Sequence, residues 1–230
     1  MPEEPALVIT GASTGIGAAT ARRAAEFGWR VALAARSVDK LEALSGELGG
    51  EEKAFAMRCD VTSWDDQQAL VRETLERFGR LDGFFANAGF GAKRGFLEES
   101  VEHWKSMIDT NVYGCALSIR ACLGHFKRTG RGHAILTSSL AGRRALPGSL
   151  YSATKWAVSA MGEALRQEVA DTDIKVTLIE PGAVDTPFFE NRPSGALEAD
   201  DVARAVMYAL TQPPHVDVNE ILVRPIHQAV

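Results

Sequence analysis

Residues 6–17 read Ala6-Leu7-Val8-Ile9-Thr10-Gly11-Ala12-Ser13-Thr14-Gly15-Ile16-Gly17, and this stretch decides the fold. Ala6–Thr10 is a short apolar run of the kind that forms a buried strand. It ends in a loop punctuated by glycine. Ile16, Ala19, Ala24 and Phe27 then recur at helical spacing until Gly28 stops the pattern. Glycines at 11, 15 and 17 permit a tight turn, let backbone amides approach a pyrophosphate, and let the helix pack close to the strand. The start of the helix adds the positive end of its dipole. No lysine follows the glycines, which argues against the GxxxxGKS loop of nucleotide hydrolysis. Taken alone, the same residues would also make a purely structural turn.

Strand-like and helix-like patterns alternate through the rest of the chain. Residues 31–35 form a second apolar run, a helical stretch follows near 38–48, and Ala54–Arg58 reads as a weaker strand. Trp64–Phe78 opens after Thr62 and Ser63, both good capping residues, and carries Leu70, Val71, Leu75 and Phe78 on one face. Gly83–Ala86, 133–137 and 175–179 supply further strands. Helical patterns fill 101–126, 152–170 and 198–211, and Glu220–Val223 is a last short strand. Parallel strands need crossover connections, so the alternation predicts an α/β fold, a doubly wound parallel sheet flanked by helices on both faces. No shift of composition marks a boundary, and residues 1–230 are expected to form one domain.

The 230 residues are 46% hydrophobic and 24% charged, enough for a sizeable core, with a formal net charge of −5. A mildly acidic surface offers no basic field for nucleic acid or an anionic membrane. No run approaches the roughly 20 apolar residues of a transmembrane helix. Met1-Pro2-Glu3-Glu4-Pro5 is the opposite of a basic signal-peptide start. Cys59, Cys115 and Cys122 lie in unrelated settings without metal spacing, which suggests reduced thiols, a cytoplasmic setting and no metal site. His103, His125, His133, His215 and His227 are scattered and are expected on the surface or at caps.

The loop after the second strand narrows the ligand. Dinucleotide sites that choose NAD place an acidic residue about 20 residues beyond the glycines, where it binds the ribose 2′-hydroxyl. Here the strand ends in Arg36-Ser37 instead. A guanidinium is always charged and its fork of donors suits a 2′-phosphate, so the expected cofactor is NADP(H). A solvated arginine at a strand end is the plain alternative. Asp60, after the third strand, is placed to accept a hydrogen bond from an adenine amino group, or else to serve as a turn aspartate.

Tyr151-Ser152-Ala153-Thr154-Lys155 opens a helical pattern and puts Tyr151 and Lys155 on one face, a turn apart. A lysine there would lower the phenol's pKa from about 10 and let it exchange a proton with a carbonyl oxygen near neutrality. Upstream, Ser138-Ser139 ends a strand and could bind the same oxygen. These motifs, with TGASTGIG at 10–17, CDV at 59–61, NAG at 87–89, Asn111 in DTNVYG, SSLAG at 138–142 and PGAVDT at 181–186, resemble the short-chain dehydrogenase/reductase family with a single Rossmann-like domain. The likeness spans nearly the whole chain. It implies Tyr151 as catalytic acid/base, Lys155 as the group that lowers its pKa and holds the nicotinamide ribose, and Asn111 as the anchor of a relay water. It further implies that Gly11, Ser13, Thr14, Gly15, Ile16 and Gly17 cradle the cofactor phosphates, with Arg36, Ser37, Asp60 and Val61 around the adenosine. Asn87, Ala88 and Gly89 would shape that side of the cleft, and Pro181, Gly182, Val184 and Thr186 would meet the nicotinamide. The family's usual spacing to the tyrosine selects Ser138, whereas the Leu-Ala-Gly context selects Ser139. We favour Ser139, because a loop absorbs a deletion more easily than a strand end absorbs a register slip.

The segment after PGAVDT should form a short substrate lid around 187–197, with Phe188 and Phe189 either lining the pocket or plugging the core. Phe90 and Phe96 are further pocket candidates. Arg143 and Arg144 lie near the expected mouth, where they would hold a carboxylate or form a solvated basic turn. The resemblance implies a homodimer or homotetramer, with Trp156 as a candidate contact. The expected function is an NADP(H)-dependent hydride transfer between nicotinamide and a small carbonyl or alcohol substrate, an aldehyde, ketone or 3-oxo acid. The competing readings are an NADP(H)-binding sensor with little turnover, or an epimerase or dehydratase, whose members generally carry an added substrate domain.

Overall fold

A computed structural model describes residues 4–189, 191 and 193–228. The chain runs β1 (Ala6–Thr10), α1 (Gly15–Glu26), β2 (Arg30–Ala35), α2 (Val38–Glu47), β3 (Ala54–Arg58), α3 (Trp64–Phe78), β4 (Gly83–Ala86), α4 (Val101–Ile108), α5 (Cys115–Thr129), β5 (Arg131–Thr137), α6 (Leu150–Glu168), β6 (Asp173–Pro181), β7 (Val184–Asp185), β8 (Leu197–Glu198), α7 (Ala199–Leu210) and β9 (Glu220–Val223). Seven strands form one parallel sheet in the order β3-β2-β1-β4-β5-β6-β9. This is the Rossmann-like doubly wound sheet expected from the alternation. The winding reverses between β1 and β4, and the crevice beyond the carboxyl ends of strands at such a reversal is where ligands bind.

The strands are apolar on both faces because both faces are covered. In β1 all five residues are buried. Ala6 and Val8 pack with Leu70, Phe126 and Val158 of α3, α5 and α6, while Leu7 and Ile9 pack with Ala21, Leu41 and Val206 of α1, α2 and α7. Each large apolar side chain so buried stabilises the fold by about 1.5–3 kcal/mol. Local signals set the boundaries. Ser63 caps α3 by accepting from the Asp66 amide, and Gly79 ends it at φ +71°.

Two features escape the sequence patterns. The expected helix over 101–126 is broken, with a π-helical segment at Asp109–Gly114 between α4 and α5. The buried positions across it, Met107, Asn111, Cys115, Ser118 and Cys122, still recur at three or four residues, so it is invisible in the pattern. The parallel pair β7–β8 has two residues per strand, too few to read. One histidine also departs from expectation. His133 is buried in β5, its Nε2 lies 2.8 Å from Thr177 Oγ1, and that hydroxyl donates to Val218 O at 2.6 Å. His133 therefore donates through Nε2, and burial pushes its pKa down to about 3, which keeps it neutral.

Candidate active site

The glycine loop is built from close approaches. Gly11 and Gly15 take φ of +66° and +55°, a region that penalises any Cβ. At Gly17 a Cβ would lie 2.3 Å from Gly11 O. The loop is latched from the β4 side: Thr10 Oγ1 accepts from the Asn87 and Ala88 amides, Asn87 Nδ2 donates to Thr10 O at 3.2 Å, and Thr137 Oγ1 donates to Asn87 Oδ1 at 3.2 Å. Thr14 stands at the N-cap of α1 without a side-chain capping bond, and the first turn holds no acid. That leaves the positive start of α1, with Ser13 and Ile16 beside it, turned to the crevice.

At the outer end Arg36 is exposed beyond β2, and Ser37 is the N-cap of α2 without using its hydroxyl as a cap. Asp60 Oδ1 accepts from both the amide and the hydroxyl of Thr62, and these bonds, helped by Arg36 and Arg58, hold its carboxyl below the usual range. Its geometry is that of a turn aspartate with one oxygen committed. Arg58, which the sequence reading passes over, ends β3 opposite Ala35 and adds a second guanidinium to this corner. Val61 is buried against Gly114, where a Cβ would come within 2.7 Å of its side chain. Gln67 of α3, buried and also missed, joins the two: its Nε2 donates to Val61 O at 3.0 Å, Gly114 O at 3.3 Å and Ser118 Oγ at 2.9 Å.

Across the crevice the two competing serines part company. Ser138 is buried, its hydroxyl bonded to Lys155 O at 3.1 Å and to Ser159 Oγ at 2.7 Å. Ser139 opens the 3-10 turn Leu140–Gly142, accepts from the Ala141 amide at 3.1 Å, and is close enough to Tyr151 to oppose the rise in its pKa. Lys155 Nζ donates to Thr137 O at 2.7 Å and lies 5.7 Å from the Tyr151 ring centroid. The expected lowering of the tyrosine's pKa is not what this arrangement gives. Burial pushes Tyr151 up to about 12 against the opposing effect of Ser139, while burial lowers Lys155 to about 8. The ammonium is committed to a carbonyl, so desolvation decides both groups. Asn111 lies in the π-segment with its side chain fully engaged: Oδ1 accepts from Phe90 N, and Nδ2 donates to Phe90 O and to Thr154 Oγ1. Thr154, overlooked inside the YSATK motif, donates to Tyr151 O at 2.7 Å and so ties Asn111 to the tyrosine's own turn.

The lid root reaches both walls. Thr186 meets the open side of Gly15, where a Cβ would come within 3.1 Å of its methyl group. Phe188 packs edge-on against the Tyr151 ring, with centroids 5.5 Å apart, and fills the space beside Gly91. Val184 is buried, Leu197 N donates to Ala183 O at 2.9 Å, and Gly182 N donates to Val223 O at 2.7 Å, which pins both ends of the segment. Of the expected lid, Glu190 and Arg192 lie outside the described residues.

A model of the short chain dehydrogenase family matches residues 5–196. An uncharacterized oxidoreductase of Staphylococcus haemolyticus is 43% identical over 223 residues, covering 95% of this chain and 96% of that one. The chain belongs to the short-chain dehydrogenase family. An uncharacterized oxidoreductase of Listeria monocytogenes shares 38% over 239 residues, 96% of each chain. Among solved structures, the Thermococcus sibiricus alcohol dehydrogenase complexed with 5-hydroxy-NADP superposes with a TM-score of 0.90 at 37% identity over 98% of both chains. A serine dehydrogenase complexed with NADP+ does so at 0.90 and 29%, covering 98% of this chain and 96% of that one. A short-chain dehydrogenase of Burkholderia phymatum in complex with NAD gives 0.86 and 27%, covering 96% and 90%.

Within this short-chain dehydrogenase, Arg143 is exposed in its turn, as the solvated reading expects, but it is already paired. Its Nε donates to both oxygens of the buried Glu180, at 2.7 and 2.8 Å, and its outer nitrogen pairs with Glu220 of β9. A guanidinium so engaged is not a free carboxylate receptor. Arg144 is exposed. Phe90 stacks edge-on against His103, whose Nε2 lies 2.8 Å from Gly91 O, so this histidine organises the loop after the NAG motif. Phe96 lies against Trp104 and is largely exposed. No group of His, Cys, Asp and Glu among the described residues is placed to hold a metal, and no helix among them is long and apolar enough to cross a membrane.

Proposed function

We propose that this short-chain dehydrogenase is an NADP(H)-dependent carbonyl reductase or alcohol dehydrogenase acting on CH–OH groups of a small aldehyde, ketone or 3-oxo acid. The observation that carries the reading is the grouping of Tyr151, Ser139 at the start of its 3-10 turn, and Lys155, whose Nζ is held by Thr137 O at 2.7 Å and lies 5.7 Å from the Tyr151 ring centroid. A dinucleotide fits these residues. Gly11, Gly15 and Gly17 let the loop fold closer on Ala88, Thr186 and itself than a Cβ would allow, and the start of α1 has no side-chain cap to compete for an anion. Arg36 and Ser37 would hold a 2′-phosphate, with Asp60 and Val61 at the adenosine. Asn87, Ala88 and Gly89 would line the middle of the cleft, and Pro181, Gly182, Val184 and Thr186 the nicotinamide end. The bound nicotinamide would supply or accept the hydride.

The chain's own residues do the rest. Tyr151, protonated at neutral pH, gives its proton to the carbonyl oxygen in reduction, and Ser139 orients that oxygen. The Lys155 ammonium stabilises the tyrosinate left behind, and the Asn111 carbonyl holds the water that restores the proton. Phe188, against Tyr151, walls the substrate side under the 187–197 lid. We propose also that residues 1–230 work as one domain, in the cytoplasm, as a homodimer or homotetramer. The half-exposed indole of Trp156 on α6 supports an interface there.

NADPH oxidation by the purified protein against a panel of aldehydes, 1,2-diketones and 3-oxo esters tests the reading. Turnover with at least one carbonyl is expected. NADPH binding without turnover across the panel would instead leave a sensor.

A further inference from the structure

We propose that Arg143 and Glu180 are positioning residues whose ion pair fixes the turn that presents the Ser139 hydroxyl. The inference rests on the role given to Ser139 above.

Glu180 has 0% of its side chain exposed. A carboxylate stripped of water is costly to bury unless paired and hydrogen bonded, and Arg143 provides both through Nε. The location of the pair gives it a further consequence. Ser139 is the first residue of a one-turn 3-10 segment, and Arg143 is the residue that closes it. The Gly142 amide donates to Ser139 O at 2.9 Å and the Arg143 amide to Leu140 O at 3.0 Å. Glu180 directly precedes Pro181, whose carbonyl accepts the Ser139 hydroxyl at 3.4 Å.

That bond is at the long limit for O–H···O and holds little by itself. The place of the hydroxyl is set by where the turn sits on β6, held at its start by the Ser138 amide donating to Ile179 O at 2.8 Å and at its end by the charged tether of Arg143 to Glu180. The same guanidinium reaches Glu220, so β9 is drawn into the tether. Opposite Arg143, the turn abuts α6 with no slack: a Cβ on Gly142 would lie 2.4 Å from Ser138 Oγ and 2.8 Å from Lys155 O. One side of the turn is fixed by packing and the other by charge. The short 3-10 segment has too few backbone bonds to keep its own position.

Amide hydrogen exchange and kinetics on the full chain separate this from a merely stabilising pair. In Arg143→Met, exchange across 138–149 and 180–184 should speed by about tenfold or more, with α1 and β2 unchanged, and Arg143→Lys should recover part of the protection. Unchanged exchange overturns the tether. With the carbonyl that the panel shows to be reduced fastest, Arg143→Met should lower kcat by about tenfold while the NADPH Kd stays within about threefold. In a Ser139→Ala background the same change should cost less than about threefold, because the group it positions is gone. Additive losses overturn the positioning role. If Arg143→Met does not fold, Arg143→Lys and Glu180→Gln carry the same cycle. An unaltered kcat in Ser139→Ala alone overturns the role of Ser139, and with it the positioning, while the exchange result still reports on the tether.

Discussion

The two walls of the cleft are made by opposite means. The glycine wall at 10–17 is defined by atoms that are missing: a Cβ at Gly11, Gly15 or Gly17 would strike Ala88, Thr186 or Gly11 itself. The tyrosine wall is defined by polar atoms that are buried and accounted for. Lys155 is bonded to Thr137 O, Asn111 to Phe90 and Thr154, and Ser138 to Ser159. A wall made of space is a steric device, indifferent to pH and intolerant of one methyl group. A wall made of desolvated donors and acceptors is an electrostatic device, and its working state depends on where protons sit.

Four changes would break or sharpen that contrast. The largest effect is expected from Tyr151→Phe, which should lower kcat by about 10³-fold or more while the NADPH Kd stays within about threefold. Equal loss of both in steady-state and fluorescence-binding measurements would merge the two walls into one. Gly17→Ala should do the reverse, because its Cβ would lie 2.3 Å from Gly11 O. NADPH affinity falls by about 100-fold, roughly 3 kcal/mol of overpacking, with kcat at saturating cofactor nearly kept. Arg36→Asp should weaken NADPH by about 30-fold relative to NADH, the size of a lost charged hydrogen bond, and titrations with both cofactors read it directly.

The smallest effect is that of pH. Lys155 keeps its proton only up to about 8, so kcat should fall by about tenfold or less between pH 8 and 9 while NADPH affinity stays level. The same shift has a signature in stability. Above about 8 the folded chain has shed a proton that the unfolded chain still holds, so Lys155 adds stability as pH rises toward its ordinary value near 10.5. Urea midpoints of the native protein and Lys155→Met over that range check the sign.

The contrast also explains what the sequence shows and what it hides. Glycines between an apolar run and a helical period demand a conformation that only glycine takes easily, so the first wall and the sheet around it are legible from 12 residues. The second wall is half legible. Tyr151, Lys155 and the pair of serines stand out by spacing, but which serine faces the tyrosine depends on how β5 ends against α6. Arg143 looked like a free cation because nothing near it in sequence is acidic. Its partners, Glu180 and Glu220, lie 37 and 77 residues away. The burial that raises the Tyr151 pKa is hidden for the same reason, since it is a property of the folded pocket and not of the YxxxK spacing.

Gln67 gives the molecule an awkward mutational profile. It sits on α3 and belongs to none of the motifs of the cleft, yet its amide nitrogen fastens the loop at Val61 to Gly114, the end of the turn that carries Asn111. A leucine there would fill the space and keep the helix, leaving Val61 O without this donor and Gly114 O with the Ser118 hydroxyl alone among side chains. In a survey that sorts damaged variants by proximity to the cleft, such a change would be filed as a bystander. Its lesion would nonetheless be that of a misaligned cleft in a well-folded protein.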